Sequence, residues 1–287
     1  MLKITRNEKK AMPYLLPGLI FTLLAIVYPL AYILIASFCN NKIGDITFSG
    51  IKNYEVLFKN PQFKNAAINT LRLTLVVVTF SFTIGLVLAI VINRPRTRLK
   101  GLWRSIIFIA WIIPGIVKAT AWQWIFQTEN GILNHMLMAA NIINKPVPWL
   151  THPSYALWSV AVAEIWAFSP FIMVMLSAGL LQIPRDIYES AEIDGANGIV
   201  KLFRITIPIL KDVCFICVLI LFVWTINEFI YIWTMTSGGQ NTTTLSILIY
   251  NQFKVLNINA ASASAIMQLI LTMVFAGIYV KVIGKED

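Results

Sequence analysis

Six stretches of this chain are long and apolar enough to cross a bilayer, and no other feature limits its fold so tightly. A spanning helix needs about 20 consecutive, mostly apolar residues. Tyr14 to Phe38, Leu71 to Ile92, Ser105 to Phe126, Tyr155 to Leu180, Val213 to Trp233 and Ala260 to Val282 all reach that length. Together they take up nearly half of the 287 residues, so the expected architecture is an all-α integral membrane bundle of six transmembrane helices. Composition agrees: 58% of residues are hydrophobic and 13% charged, too few charges to cover a water-facing surface. Lys3, Arg6, Lys9 and Lys10 before the first span give it the look of a signal peptide, but it is too long and lacks a small-residue cleavage site.

The net charge of +10 suits nucleic acid only if the basic residues cluster on a polar module, and here they are dispersed between the spans. Their dispersal sets orientation, because cytoplasmic connections are enriched in Lys and Arg. One side carries the four N-terminal basic residues, Arg94, Arg96, Arg98, Lys100, Arg104, Arg185, Lys201, Arg204, Lys211, Lys281 and Lys285. The other carries fewer: Lys42, Lys52, Lys59, Lys64, Arg72, Lys145 and Lys254. The heavier side is expected to be cytoplasmic and to hold both termini. The chain then divides into a cytoplasmic N-terminus (1–13), a membrane domain (14–282) with a cytoplasmic insert (182–212), and a cytoplasmic tail (283–287). Two outer connections, Tyr54 to Phe63 and Ile132 to Ile143, are amphipathic and read as helices lying on the outer surface. Cys214 and Cys217 lie in an apolar run and read as small core residues, and no metal-ligand cluster or disulfide framework is expected.

The insert is the most informative stretch: Ile183 to Pro208 reads IPRDIYESAEIDGANGIVKLFRITIP. Pro184 suits a helix start, Asp186 and Glu189 favour the first turns, Gly195 suits the helix end, and Asn197 suits the cap of a second short helix. Ser190, Ala191 and Ala196 are small, which lets another chain approach closely; an interfacial helix between two spans is the alternative. Glu189-Ser190-Ala191, Gly195, and then Ile205 and Pro208 resemble the EAA signature of permease subunits in bacterial ABC importers. Asp194-Gly195-Ala196, Phe203 and Ile205-Thr206-Ile207-Pro208 are similar to its carbohydrate-uptake, maltose-type branch. Further similarities are Leu16-Pro17-Gly18, Trp149-Leu150, Ser237-Gly238-Gly239 and Tyr250-x-x-Phe253; Ser190, Ile207, Asp212 and Gln240 depart from the pattern. The resemblance implies the ABC importer permease fold, with Glu189, Ser190, Ala191, Asp194, Gly195 and Ala196 forming a coupling helix that docks on a cytoplasmic ATPase. It also implies a second homologous permease, two ATPase subunits that bind ATP and Mg, an extracellular or periplasmic sugar-binding protein, and a bacterial cell membrane. No cofactor and no catalytic residue is expected in this chain. It has no G-x-x-x-x-G-K-[ST] phosphate loop.

Charges inside spans are costly and usually face the bundle interior or a water-filled cavity. Lys118, Glu164 and Glu228 are such residues. Trp224, Asn227, Glu228 and Tyr231 follow i, i+3, i+4, i+7 spacing and are expected to line one helical face of the fifth span. Trp111, Gly115, Lys118 and Trp122 share a face of the third, Glu164, Phe168, Phe171 and Met175 one of the fourth, and Ser264, Gln268 and Thr272 one of the sixth. Aromatic faces beside amides and carboxylates suit a sugar; interface anchoring and interhelical hydrogen bonds are the competing roles. Counted along continuous helices, Lys118 and Glu164 lie about 12 and 14 Å below the outer end, which predicts a pair. The leading reading is a permease for a sugar, with Asn227, Glu228, Tyr231, Trp224, Lys118, Trp122, Glu164 and Gln268 as pathway candidates. Glycerol phosphate or polyamine cargo, or a self-sufficient secondary transporter using Glu164 or Glu228, are the alternatives.

Overall fold

A computed structural model describes residues 6–42, 45–94 and 97–283. Lys3, Arg96, Lys285 and most of the expected C-terminal tail lie outside the described residues. In chain order, α1 (Arg6–Thr22) passes through a π-helical turn at Leu23–Val27 into α2 (Tyr28–Ser37). Strands β1 (Cys39–Lys42) and β2 (Asp45–Phe48) pair antiparallel, with Cys39 opposite Phe48. Then come α3 (Lys52–Lys59), α4 (Pro61–Asn93), α5 (Lys100–Ile112), α6 (Gly115–Ile125), α7 (Ile132–Ala139) and α8 (Ala156–Leu180). The insert contains α9 (Arg185–Ile193), α10 (Gly198–Lys201), a π-helical turn at Leu202–Thr206 and α11 (Ile207–Ile209). The chain continues as α12 (Lys211–Ile226), α13 (Ile230–Thr236), α14 (Leu245–Lys254) and α15 (Ile258–Ile283).

Four of the expected spans are continuous enough to cross a membrane: Tyr14–Ser37, Pro61–Asn93, Ala156–Leu180 and Ile258–Lys281. The other two are broken. The third is the pair α5 and α6, bent by 91°, and the fifth crosses through α12, which meets Gly198–Ile209 at 78°. Counting each bent pair once brings the number to six. The first break follows from Pro114: Ile113 before it is extended (ψ 134°), as proline demands of its predecessor, and no amide hydrogen is available to continue the helix. The amphipathic stretch Tyr54 to Phe63 is not one helix either. Asn60 is extended and its side chain accepts from the Gln62 amide at 2.9 Å, so it caps α4, whose first residue is Pro61. The β-hairpin had no counterpart among the sequence expectations.

The residues group into two compact units. In the unit formed by Met1–Phe63 and Leu248–Ile270, Asn53 donates to the carbonyls of Ser37 and Cys39, both at 2.8 Å, and Tyr54 donates to Ser37 Oγ at 2.7 Å. These bonds fasten α3 to the end of α2. On α15, Ser264 donates to Gln252 Oε1 at 2.8 Å, and Gln268 is buried.

In the unit formed by Lys64–Ile247 and Leu271–Asp287, α8 is the core. Ala163, Ala167, Ile172, Met173 and Leu176 are fully buried, and α5, α6, α12 and α13 pack around it. Gly85 of α4 brings that helix close: a Cβ there would stand 2.6 Å from Ile172 Cγ2 and 3.0 Å from the Ser169 carbonyl oxygen.

Candidate functional site

The break in the fifth span changes the reading of its polar residues. The spacing of Trp224, Asn227, Glu228 and Tyr231 predicts one continuous helical face, but α12 ends at Ile226 and α13 begins at Ile230. Side chains make this interruption. Glu228 Oε1 accepts from the amides of Phe229 at 3.0 Å and Tyr231 at 3.1 Å, donors that a continuing helix would direct to its own carbonyls. Asn227 folds back to donate to the Val223 carbonyl at 2.8 Å. Trp224 is therefore on α12, Asn227 and Glu228 are on irregular backbone, and Tyr231 is on α13.

The two breaks share a local design. Trp111 precedes Pro114 by three residues, Trp224 precedes Asn227 by three, and the two indoles stack at 4.9 Å with 26° between their planes. Phe171 of α8 contacts both at 4.9 Å, and Phe168 lies against both as well as Tyr231. This aromatic cluster pins the ends of α5 and α12 to the middle of α8. The helices that leave the breaks, α6 and α13, pack along each other. Lys118 and Glu228 are thereby brought to the same region. Lys118 is buried, donates to the Trp111 carbonyl at 3.4 Å, and sits 5.4 Å from the Trp111 ring centroid. A cation there covers a carbonyl at a helix C-terminus, where the dipole favours positive charge.

The expected pairing of Lys118 with Glu164 is corrected. No ion pair joins them among the described residues, and α6, which carries Lys118, packs along α13, the helix that follows Glu228. Counting depth along a straight helix fails because α6 turns away from α5 by 91°. Glu164 is fully buried on α8, and neither of its carboxyl oxygens has a hydrogen-bond partner; Tyr231 Oη is buried and unpartnered too. Trp122 faces elsewhere. Its ring contacts Phe126 and Trp166, and it lines an apolar cleft of about 1040 Å³ with residues such as Ile84, Ile107, Trp158 and Ile165. Lys118, Glu164, Asn227 and Glu228 do not line that cleft. Gln268 belongs to the other compact unit and is described there by itself.

The insert between the fourth and fifth spans has the expected local structure. α9 ends in a Schellman motif: the Ala196 amide donates to the Ala191 carbonyl at 2.8 Å, the Gly195 amide to Glu192 at 3.0 Å, and Gly195 has φ +77°. Asn197 Oδ1 then accepts from the Val200 amide at 2.9 Å and caps α10. Tyr188 and Thr206 hydroxyls meet at 3.0 Å, and Lys201 pairs with Glu192 at 2.5 Å, so the two helices are fastened together. The Lys201 ammonium holds the Glu192 carboxyl below the usual carboxylate range. Glu189, Ser190, Asp194 and Gly195 are exposed, Ala191 and Ala196 half-buried, and the apolar side chains of Ile193 (87%), Ile199 (70%) and Phe203 (64%) stand out in the open. Apolar groups so exposed outside the spans mark a contact surface.

Residues 81–285 match the family of binding-protein-dependent transport system inner membrane components. The chain belongs to that family. The permease is 30% identical over 285 residues to the trehalose/maltose transport system permease protein MalF of Thermococcus litoralis, covering 96% of this chain and 94% of that protein. It is 29% identical to the trehalose transport system permease protein SugA of Mycobacterium tuberculosis, over 98% of this chain and 91% of that one. Among solved structures, a bacterial ABC transporter that imports the acidic polysaccharide alginate superposes with a TM-score of 0.83 at 22% identity, covering 98% of the permease and 97% of that chain. The permease fold expected from the EAA-like run is thus established, and the protein is a multi-pass membrane protein.

Several structural anchors escaped the sequence reading. Asn134 is fully buried and joins Thr128, Val147 and the Trp149 indole. Asn69 donates to the carbonyls of Asn241 and Thr243 and so shapes the loop after α13. Asn93 joins three helices, α4, α5 and α8. The available signal was an asparagine within or bordering an apolar helix.

Proposed function

We propose that this chain is one of the two membrane subunits of an ATP-driven sugar importer. In this reading it forms half of the translocation path with a second homologous permease. Two cytoplasmic ATPase subunits bind ATP and Mg and supply the energy, and an external sugar-binding protein delivers cargo. The chain lies in the cytoplasmic membrane with both termini inside, as its Lys and Arg distribution favours. The observation that carries the sugar assignment is end-to-end similarity to permeases named for trehalose and maltose transport.

The α9 to α10 hairpin is the proposed ATPase contact. Its Gly195 turn is open on the outside, with nothing within 4 Å of the Cβ position, and exposed isoleucines flank it. The proposed sugar path passes the break at Asn227 to Phe229. Irregular backbone at membrane depth survives only where protein buries it or water reaches it, and Asn227 is exposed. Glu164 and Tyr231, buried without partners, are polar groups that a hydroxyl-rich cargo satisfies, and Trp111 and Trp224 supply aromatic surface beside them. Reconstitution with the ATPase, second permease and binding protein tests the reading. Sugar uptake is expected to depend on ATP and on binding protein, and Gly195→Leu is expected to stop uptake while leaving the permease inserted. Full binding-protein-stimulated hydrolysis in the Gly195→Leu complex contradicts the docking assignment.

A further inference from the structure

Asn93 is the last residue of α4, and every polar group it offers toward its neighbours is used. Its side-chain amide donates to the Ala89 carbonyl at 2.7 Å and to Ser177 Oγ at 3.0 Å. Its side-chain oxygen accepts from the Arg104 guanidinium, and its backbone carbonyl accepts from Lys100 Nζ at 3.0 Å. One residue therefore holds the first turns of α5 through Lys100 and Arg104, and the last turn of α8 through Ser177. Ser177 is 2% exposed, so this link is shielded from competing water. Arg104 Nε is buried without a partner, so the Asn93 contact helps hold a guanidinium that water does not fully solvate.

The position of this clasp matters more than its strength. Ser177 lies eight residues before Arg185, the first residue of α9, and α5 leads from the clasp to the Pro114 break and Lys118. We propose that Asn93 is a positioning residue that ties the end of α8, next to the coupling loop, to the start of the broken third span, so that movement of the loop reaches the path. The inference rests on the reading of α9 as the ATPase contact. Direct packing of α5 on α8 is the competing route, and it does not need Asn93.

The clasp has two halves that substitutions separate. Asn93→Ala removes both halves at once. Ser177→Ala removes only the link to α8, with minimal change in size. In the complete reconstituted complex, each is expected to lower the number of sugars transported per ATP hydrolysed by about threefold or more, the size of coupling changes carried by single contacts. Assembly and basal hydrolysis stay near wild type, and the double variant is no worse than Asn93→Ala alone, because the link to Ser177 is already lost there. A wild-type ratio in either single variant, or losses that multiply in the double, overturns the proposal. Failure of both singles to assemble overturns it too, since the residue is then a folding element. Gly195→Leu measured alongside keeps the readings apart: if it transports and couples normally, the ATPase assignment fails, whereas normal coupling in the clasp variants alone removes only the clasp.

Discussion

The fourth and fifth spans are both long apolar stretches, yet α8 stays helical through Pro170 while the fifth span, with no proline between Val213 and Thr236, breaks at Asn227 to Phe229. The difference lies in what surrounds the backbone. About 67% of the α8 window is buried, with neighbours packed on it, and Ser169 supplies a side-chain donor to the Ile165 carbonyl at 2.6 Å beside the proline. The carbonyl that Pro170 leaves without a helical donor is that of Trp166, four residues back, so packing and not the Ser169 hydroxyl keeps the helix there. At the fifth span the competition runs the other way, because Glu228 accepts two amides and starts a new helix. Proline is thus neither sufficient nor necessary for a break in this chain, and in the fifth span the Glu228 side chain decides its position.

The comparison breaks most severely if α8 loses its packing. Gly85→Ala is expected to cost about 1–3 kcal/mol, because the new methyl meets the Ile172 Cβ at 2.7 Å and the Ser169 backbone at 3.0 Å, neither of which yields easily. A clear fall in the thermal midpoint of the purified complex is the expected result. Gly179→Ala meets the flexible end of Leu210 at 2.7 Å and is expected to cost less.

Removal of the side chain that starts α13 comes next. Glu228→Ala leaves the Phe229 and Tyr231 amides without their acceptor and is expected to cost about 1–2 kcal/mol, with strong loss of transport. Glu228→Gln retains an acceptor oxygen and is expected to be milder on stability. Equal effects of the two on stability would show that charge, rather than the cap, holds the break.

A smaller effect sharpens the placement of the charges. Double-mutant cycles with Lys118→Met are expected to show coupling with Glu228→Gln of more than about 0.5 kcal/mol, and less than that with Glu164→Gln. The reverse order restores the pair that helix counting predicts.

How far the sequence could be read follows from these same residues. Span number and the helices of the insert were legible because they depend on local composition and capping: Gly195 and Asn197 act through backbone neighbours a few residues away. The stripe on the fifth span was not, because i, i+3, i+4, i+7 spacing presumes an unbroken helix, and Glu228 both fits that pattern and ends the helix that defines it. The third span was read as one helix across Pro114, and the 91° turn there goes with α6 packing along α13, a contact between segments far apart in the chain. The stacking of Trp111 on Trp224 joins positions more than a hundred residues apart and leaves no local trace. Asn93 lies just past the apolar stretch that ends at Ile92, and only its partners on α5 and α8 show what it does.

The central claim is that the break at Asn227 to Phe229 faces the sugar path, and aqueous thiol labelling in the reconstituted complex tests it most directly. With Cys39, Cys214 and Cys217 replaced, single substitutions Asn227→Cys, Val223→Cys and Ile230→Cys place thiols at the break and at exposed apolar positions on either side of it. A small water-soluble reagent is expected to modify position 227 faster than 223 or 230, and the transported sugar is expected to slow modification at 227 alone. Labelling confined to 223 and 230, or labelling at 227 that sugar leaves unchanged, contradicts the account.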